Sequence, residues 1–272
     1  MRCQADNEKM TLIDSLLLSK KRREIVESLF YEDKTSEDLK RLLKVEWVLL
    51  KEPIKKLMEE ELIICHDKKY SLSKVGRVIC ENTLPLVELA ETFGKNPEYW
   101  ISRDLSPIPE YLAGNIGKMK GCSVVVPHPD HMFEPLKEVI NESEKEIAFS
   151  EEIKLCLVLF YPESIDILTE YSKRGIHITL ILTKYIYDKM LNEFQDKLKL
   201  LLGSKNLNLF VFNENKVIPQ IVITDFKALV IFFNQKGKYD YQELLGSDIY
   251  ALEWATELFS YYEKCSEHIS TI

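Results

Sequence analysis

Residues 35–76, TSEDLKRLLKVEWVLLKEPIKKLMEEELIICHDKKYSLSKVG, run through two helical periods and then a charged hairpin, and this order decides how the N-terminal part of the chain is read. Thr35 and Asp38 have the spacing at which a hydroxyl and a carboxylate satisfy each other's backbone amides, so a helix through Leu39, Leu42 and Leu43 is expected to begin there. Lys44 and Val45 make the turn. The next helix places Trp47, Leu50, Ile54, Leu57 and Met58 on one face and leaves Val48, Lys51, Glu52 and Lys55 on the other. Pro53 lies inside that helix and removes one of its hydrogen bonds. Two short apolar strands, 62–65 and 70–72, then flank His66, Asp67, Lys68 and Lys69. The pattern predicts a winged helix-turn-helix, an α+β domain.

Such a module implies double-stranded DNA as a partner. Lys44, Trp47, Val48, Lys51, Glu52 and Lys55 are expected to meet the major groove, with His66, Lys68 and Lys69 at the wing tip along phosphates. The reading face is poor in the Arg, Asn and Gln side chains that make bidentate base contacts. Affinity is therefore expected from phosphates and from dimerisation. A protein-binding adaptor is the alternative use of the same head.

Charge is distributed to match. The chain of 272 residues has a net charge of -8, yet residues 1–76 hold sixteen Lys and Arg against fifteen Asp and Glu, and the remainder twenty against twenty-nine. The acid sits away from the reading head. Cys3, Cys65, Cys80, Cys122, Cys156 and Cys265 show no CxxC pair, so they read as free thiols of a reducing cytoplasm, most of them as small buried apolar side chains, with Cys65 and Cys122 as the candidates for redox sensing or thiolate ligation. No apolar run has the roughly 18 residues needed to span a bilayer. The expected location is cytoplasmic, with no membrane partner.

Three segments are expected: a DNA-binding domain over 1–84, a helical connector over 85–120 and an α/β regulatory domain over 121–272. A helix over 74–93 should be interrupted near Pro85, and NPEYWISRDLSPIPEYL reads as a packed connector. Beyond residue 121, strands are expected at 122–127, 146–150, 176–182, 207–212, 218–224 and 228–233, with helices at 131–143, 162–173, 184–202 and 248–266. That alternation implies a mixed sheet with helices on its faces, so the chain as a whole is α/β.

RGIHITLIL followed by a helix is similar to the strand-helix unit of phospholipase-D-like domains. LIDSLLLSKKRREIVESL, DLSPIP and ALEWATELFSYYEKCSE resemble the archaeal methanogenesis-regulator family, over nearly all residues after about the tenth. The resemblance implies an ArsR-type winged helix joined to a phospholipase-D-like regulatory domain, in a dimeric transcription regulator whose second domain senses a signal.

Phospholipase-D chemistry needs a His with a Lys two residues on, because imidazole attacks phosphorus while lysine neutralises the oxyanions. After His177 that position holds Thr179, so no catalytic residue is expected; a phosphodiesterase is kept as the alternative function. His128, Asp130 and His131 have ligand chemistry but too few companions, and no metal or cofactor is expected. A small-molecule effector is expected at the carboxyl ends of the strands, near Ser150, Tyr161, Thr183 and Tyr185. Dimer seams are expected on the first helix, with Leu12, Leu16, Ile25 and Leu29, and on the last, with Leu252, Leu258 and Phe259.

Overall fold

The computed structural model describes Asp14, Leu16 and residues 19–126 and 150–270, and the chain divides into two compact units, Met1–Val87 and Glu88–Ile272. In the first, α1 (Lys20–Tyr31) is capped by Ser19 and leads through β1 (Lys34–Thr35) into α2 (Ser36–Leu43) and α3 (Trp47–Glu59). Thr35 and Asp38 form the expected reciprocal cap. Thr35 Oγ1 accepts the Asp38 N–H at 3.2 Å and Asp38 Oδ2 accepts the Thr35 N–H at 3.1 Å. Helix α2 stops at Lys44, which takes the left-handed backbone with φ 51°.

The hairpin of β2 (Ile63–His66) and β3 (Lys69–Leu72) runs in register from Ile63 opposite Leu72 to His66 opposite Lys69. Asp67 and Lys68, at φ 49° and 64°, make its two-residue turn of the mirror-image type that matches strand twist. The two-residue β1, which the sequence does not announce, pairs on the outer side of β3. Ile25, Leu29, Leu39, Leu50, Ile54, Leu57, Leu62 and Leu72 close the core beneath, each contributing about 1.5–3 kcal/mol. Met58, expected on the inner face of α3, is exposed instead. The apolar stripe is narrower than the i, i+3, i+4, i+7 rule allows.

Helix α4 (Lys74–Lys95) is continuous through Pro85, where the sequence predicts a break. Pro85 is on the exposed side, and water can serve the carbonyl that its missing N–H leaves over. After α5 (Pro97–Ser102), α6 (Glu110–Ala113) and a 3-10 turn, β4 (Ser123–Val125) opens the second unit's sheet. Then come β5 (Glu152–Leu157), α7 (Pro162–Lys173), β6 (His177–Thr183), α8 (Lys184–Glu193), α9 (Gln195–Leu202) and β7 (Leu207–Phe212). β8 (Gln220–Ile223), β9 (Ala228–Ile231), β10 (Glu243–Gly246), α10 (Ile249–Lys264) and β11 (Glu267–Ile269) complete it.

The second unit's described strands form one mixed sheet in the order β11-β7-β6-β5-β8-β9-β10-β4, with β5, β6 and β7 parallel and the other pairings antiparallel. Because strand side chains alternate, Cys156, Ile181, Ile221 and Val230 point to α10 and the 97–122 segment, whereas Leu155, Leu180, Val222 and Leu229 point to α7, α8 and α9. Both faces are covered, as a mixed α/β sheet requires. Trp254 of α10 fixes one layer by donating its indole N–H to the Leu112 carbonyl at 3.1 Å.

Three strands depart from the sequence reading. The expected strand 146–150 lies outside the described residues except for Ser150, which is not in a strand, and the strand sits at β5 instead; Glu152 and Lys154 obscure it, and they pair at 2.7 Å on one face. β10 begins with a buried glutamate, and β11 follows the last helix, where the sequence reading places no strand. The expected 184–202 helix is two helices joined at Phe194, whose ring meets Phe160 edge-on at 5.7 Å. The helix expected at 131–143 lies outside the described residues.

Candidate nucleic-acid interface

Lys44, Val48, Lys51, Glu52, Lys55, His66, Lys68 and Lys69 are all exposed. Lys44 stands at the left-handed turn before α3, and Val48, Lys51, Glu52 and Lys55 lie on the side of α3 opposite Leu50, Ile54 and Leu57. Trp47 differs. It is half-buried and its ring lies 6.4 Å from that of Tyr70, so it ties the start of α3 to wing strand β3 rather than standing free. Lys69 directly precedes that Tyr70.

Among the described residues Lys44, Lys51, Lys68 and Lys69 form no ion pair, while Lys55 reaches Glu59 at 3.8 Å, a solvent-exposed pair of small energetic weight. His66 Nδ1 is 3.0 Å from Asp67 Oδ2. Among the described residues, four ammonium groups are thus presented to solvent outside any ion pair. Such groups can neutralise phosphates at little desolvation cost.

The residues expected to bind an effector do not converge. Tyr161 follows the carboxyl end of β5, and Thr183 and Tyr185 follow that of β6. Ser150 precedes the opposite end of β5, about 20 Å away along a six-residue strand. With β5 placed at 152–157, the expected alignment of Ser150 with the other three is lost. Thr183 caps α8 by accepting the Ile186 N–H at 3.4 Å, and Tyr185 is 76% exposed. Burial raises the Tyr161 phenol above its ordinary pKa, and Tyr241 and Glu243 add to the rise.

What the sequence did not signal is the polar structure around that strand end. Gln220, buried, accepts the Leu159 N–H at 2.9 Å, and the buried Glu243 accepts the Tyr239 hydroxyl at 2.6 Å. Arg103 is enclosed: it grips Asp240 through two bonds of 2.7 and 2.5 Å, donates to the Phe232 carbonyl at 3.1 Å and stacks 4.5 Å over Tyr99. A cleft of about 750 Å³ opens elsewhere, between α7, α9 and the turn before β7, lined by Ser172, Lys173, Lys199 and Asn206. None of the expected effector residues lines it.

His177 opens β6 as an exposed strand residue, and the buried Thr179 follows it. His128, Asp130 and His131 lie outside the described residues, as does Cys3; among the described residues no cluster of His, Cys, Asp and Glu could hold a metal. Cys65 is exposed on the wing. Cys122 is buried, and its thiol is pushed up to about 12, chiefly by desolvation, which leaves little thiolate to oxidise. Leu16, Ile25 and Leu29, and likewise Leu258 and Phe259, are buried within their own units, and Leu252 is half-buried against the second unit's core, so these residues do not form free surfaces; Leu12 lies outside the described residues. No described helix is long and apolar enough to cross a membrane.

Comparison with known proteins agrees with the resemblance to methanogenesis regulators. Residues 132–264 match the family model described as the middle domain of methanogenesis regulatory protein FilR1. Methanogenesis regulatory protein FilR1 of Methanothrix harundinacea (strain 6Ac) is 23% identical over 249 residues, covering 88% of this chain and 54% of that protein. The chain spans about half the length of the curated relative it matches. Among solved structures, TrmBL2, an archaeal chromatin protein, aligns over 92% of this chain and 94% of its own at 14% identity and a TM-score of 0.41. Polyphosphate kinase of Porphyromonas gingivalis aligns over 52% and 22% at 13% identity and 0.30.

Proposed function

We propose that the chain is a sequence-specific, DNA-binding transcription regulator, cytoplasmic and homodimeric. Its first unit is an ArsR-type winged helix-turn-helix that reads the duplex, and its second is a phospholipase-D-like regulatory domain that senses a small molecule or a redox change without catalysis. The observation that supports this best is the set of exposed lysines on α3 and the wing tip, Lys51, Lys68 and Lys69 with Lys44 at the turn, none of them in an ion pair among the described residues. Similarity to a regulatory protein supports the same class. An effector would act by binding one arrangement of the paired heads better than another, since a ligand shifts an equilibrium only by its differential affinity.

For the homodimer, the seam we favour in the first unit is the stripe on α4 formed by Val75, Val78 and Leu86, all exposed. Leu86→Lys is expected to dissociate the dimer in sedimentation experiments without unfolding it. DNA binding is tested by mobility shift on genomic fragments across a salt series, for the wild type and for a variant with Lys51, Lys55, Lys68 and Lys69 changed to Ala. Weaker binding with a shallower salt slope is expected; equal binding by the two would reject this interface.

A further inference from the structure

We propose that the reading head selects its sites through the 5-methyl group of thymine, held by Val48 and Leu49. This deepens the duplex-binding reading above and rests on it. Val48, at 79%, is the most exposed large apolar side chain among the described residues, and Leu49 beside it is 59% exposed. The fold does not need either of them there. Leu50, Ile54 and Leu57 fill the inner face of α3, and a polar residue at 48 or 49 would leave that core intact. Two neighbouring branched hydrocarbons kept in water at one helical turn are therefore an exposed patch in want of an apolar contact.

The setting says which contact. The patch occupies the first turn of the helix that follows the helix-turn step, the part of such a helix that reaches base edges. Lys44 on one side and Lys51 on the other are exposed and form no ion pair among the described residues, so the patch is bordered by cations that suit phosphate. A partner that is anionic at its rim and offers isolated apolar groups inside is the major groove, where the one apolar group on a base-pair edge is the thymine methyl. The same face lacks Arg, Asn and Gln, so adenine has no reader by paired hydrogen bonds, guanine has only the lysines, and Glu52 is its acceptor for a cytosine amine. Methyl contact is how this face distinguishes thymine.

The test begins with the duplex recovered by repeated selection from a randomised pool using the full chain. Each thymine is then replaced singly by deoxyuridine, which removes the methyl and keeps the base pair. At one or more positions per half-site the replacement is expected to weaken binding about four-fold, the factor given by roughly 0.8 kcal/mol for one buried carbon. Val48→Ala is expected to weaken binding to the thymine duplex by a similar factor and to lose its sensitivity to deoxyuridine at the position it contacts; Leu49→Ala should do the same at a neighbouring one. Both side chains are exposed, so circular dichroism and melting should be unchanged. Deoxyuridine tolerated at every position, or penalties for deoxyuridine and Val48→Ala that simply multiply, would overturn the inference while leaving DNA binding in place. Failure to bind any duplex would overturn the DNA-binding reading and this inference with it.

Discussion

Lys51, Lys68 and Lys69 of the first unit and Arg103 of the second carry the same charge in opposite surroundings. Lys51, Lys68 and Lys69 stand in water, whereas the Arg103 side chain has no exposed surface and spends its donors on Asp240 and on the Tyr99 and Phe232 carbonyls. An exposed ammonium costs the fold little and stays available to a phosphate. A guanidinium taken out of water must have its partners inside the protein, and it then serves to hold those partners together. Position in the fold, and not residue type, separates a charge left available to a ligand from a structural one.

The largest expected effect tests the structural half of that contrast. Asp240→Ala leaves Arg103 buried without its carboxylate and should destabilise the second unit by about 3–5 kcal/mol in chemical denaturation. Arg103→Met should cost less, because the abandoned Asp240 is partly exposed and water can reach it. If the two variants cost the same, burial of the arginine is not what matters. The binding half is tested by the four-lysine variant. Its stability should change by no more than about 0.5 kcal/mol per site, yet the slope of log affinity against log salt should fall by about 0.9 for each phosphate that is no longer neutralised.

The next effect is smaller and lies in the cap that starts α2. Thr35→Ala removes the hydroxyl that accepts the Asp38 N–H and should cost about 1 kcal/mol at neutral pH. The Asp38 carboxyl is held below its ordinary pKa first by the Thr35 hydroxyl and then by the Thr35 amide, with Arg41 and Lys34 adding to it. A carboxyl depressed in the folded state stabilises above its unfolded pKa, near pH 4, and that stabilisation is lost as pH falls through the lower folded value. The gap between wild type and Thr35→Ala, measured by urea denaturation, should therefore narrow below about pH 4. A gap independent of pH would remove the carboxylate from the cap.

The first unit was legible because its signals are local. A Thr-x-x-Asp cap, a period of 3.6 and two apolar runs around a charged tip each lie within a few residues, and each is found in place. Exposure of the basic face followed from the period. In the second unit the strands with uninterrupted β-branched runs, β6 to β9, were legible for the same reason. β5 was not, since Glu152 and Lys154 alternate with its core residues, and nor were contacts that span the chain, such as Arg103 with Asp240 or Leu159 with Gln220. The apolar pattern sets Ser150 beside Tyr161 because it sets the strand six residues early. An error in register along the chain becomes an error of a strand's length in space.

The smallest effect divides the two roles within one residue. Lys68 sits in the wing's two-residue turn at φ 64°, a conformation in which a Cβ is crowded and glycine is not. Its ammonium is exposed and its backbone strained, so its fold and its reach to phosphate pull in opposite directions. Lys68→Gly should relax the turn and raise the first unit's stability, by up to about 1 kcal/mol, because the mirror-image turn favours glycine here. The same change should weaken duplex binding and lower the salt slope by roughly one phosphate's worth. Stability and affinity moving in opposite directions would mean that a strained turn is tolerated in order to carry a cation. If both rise, Lys68 touches no phosphate and the wing's contact passes to Lys69.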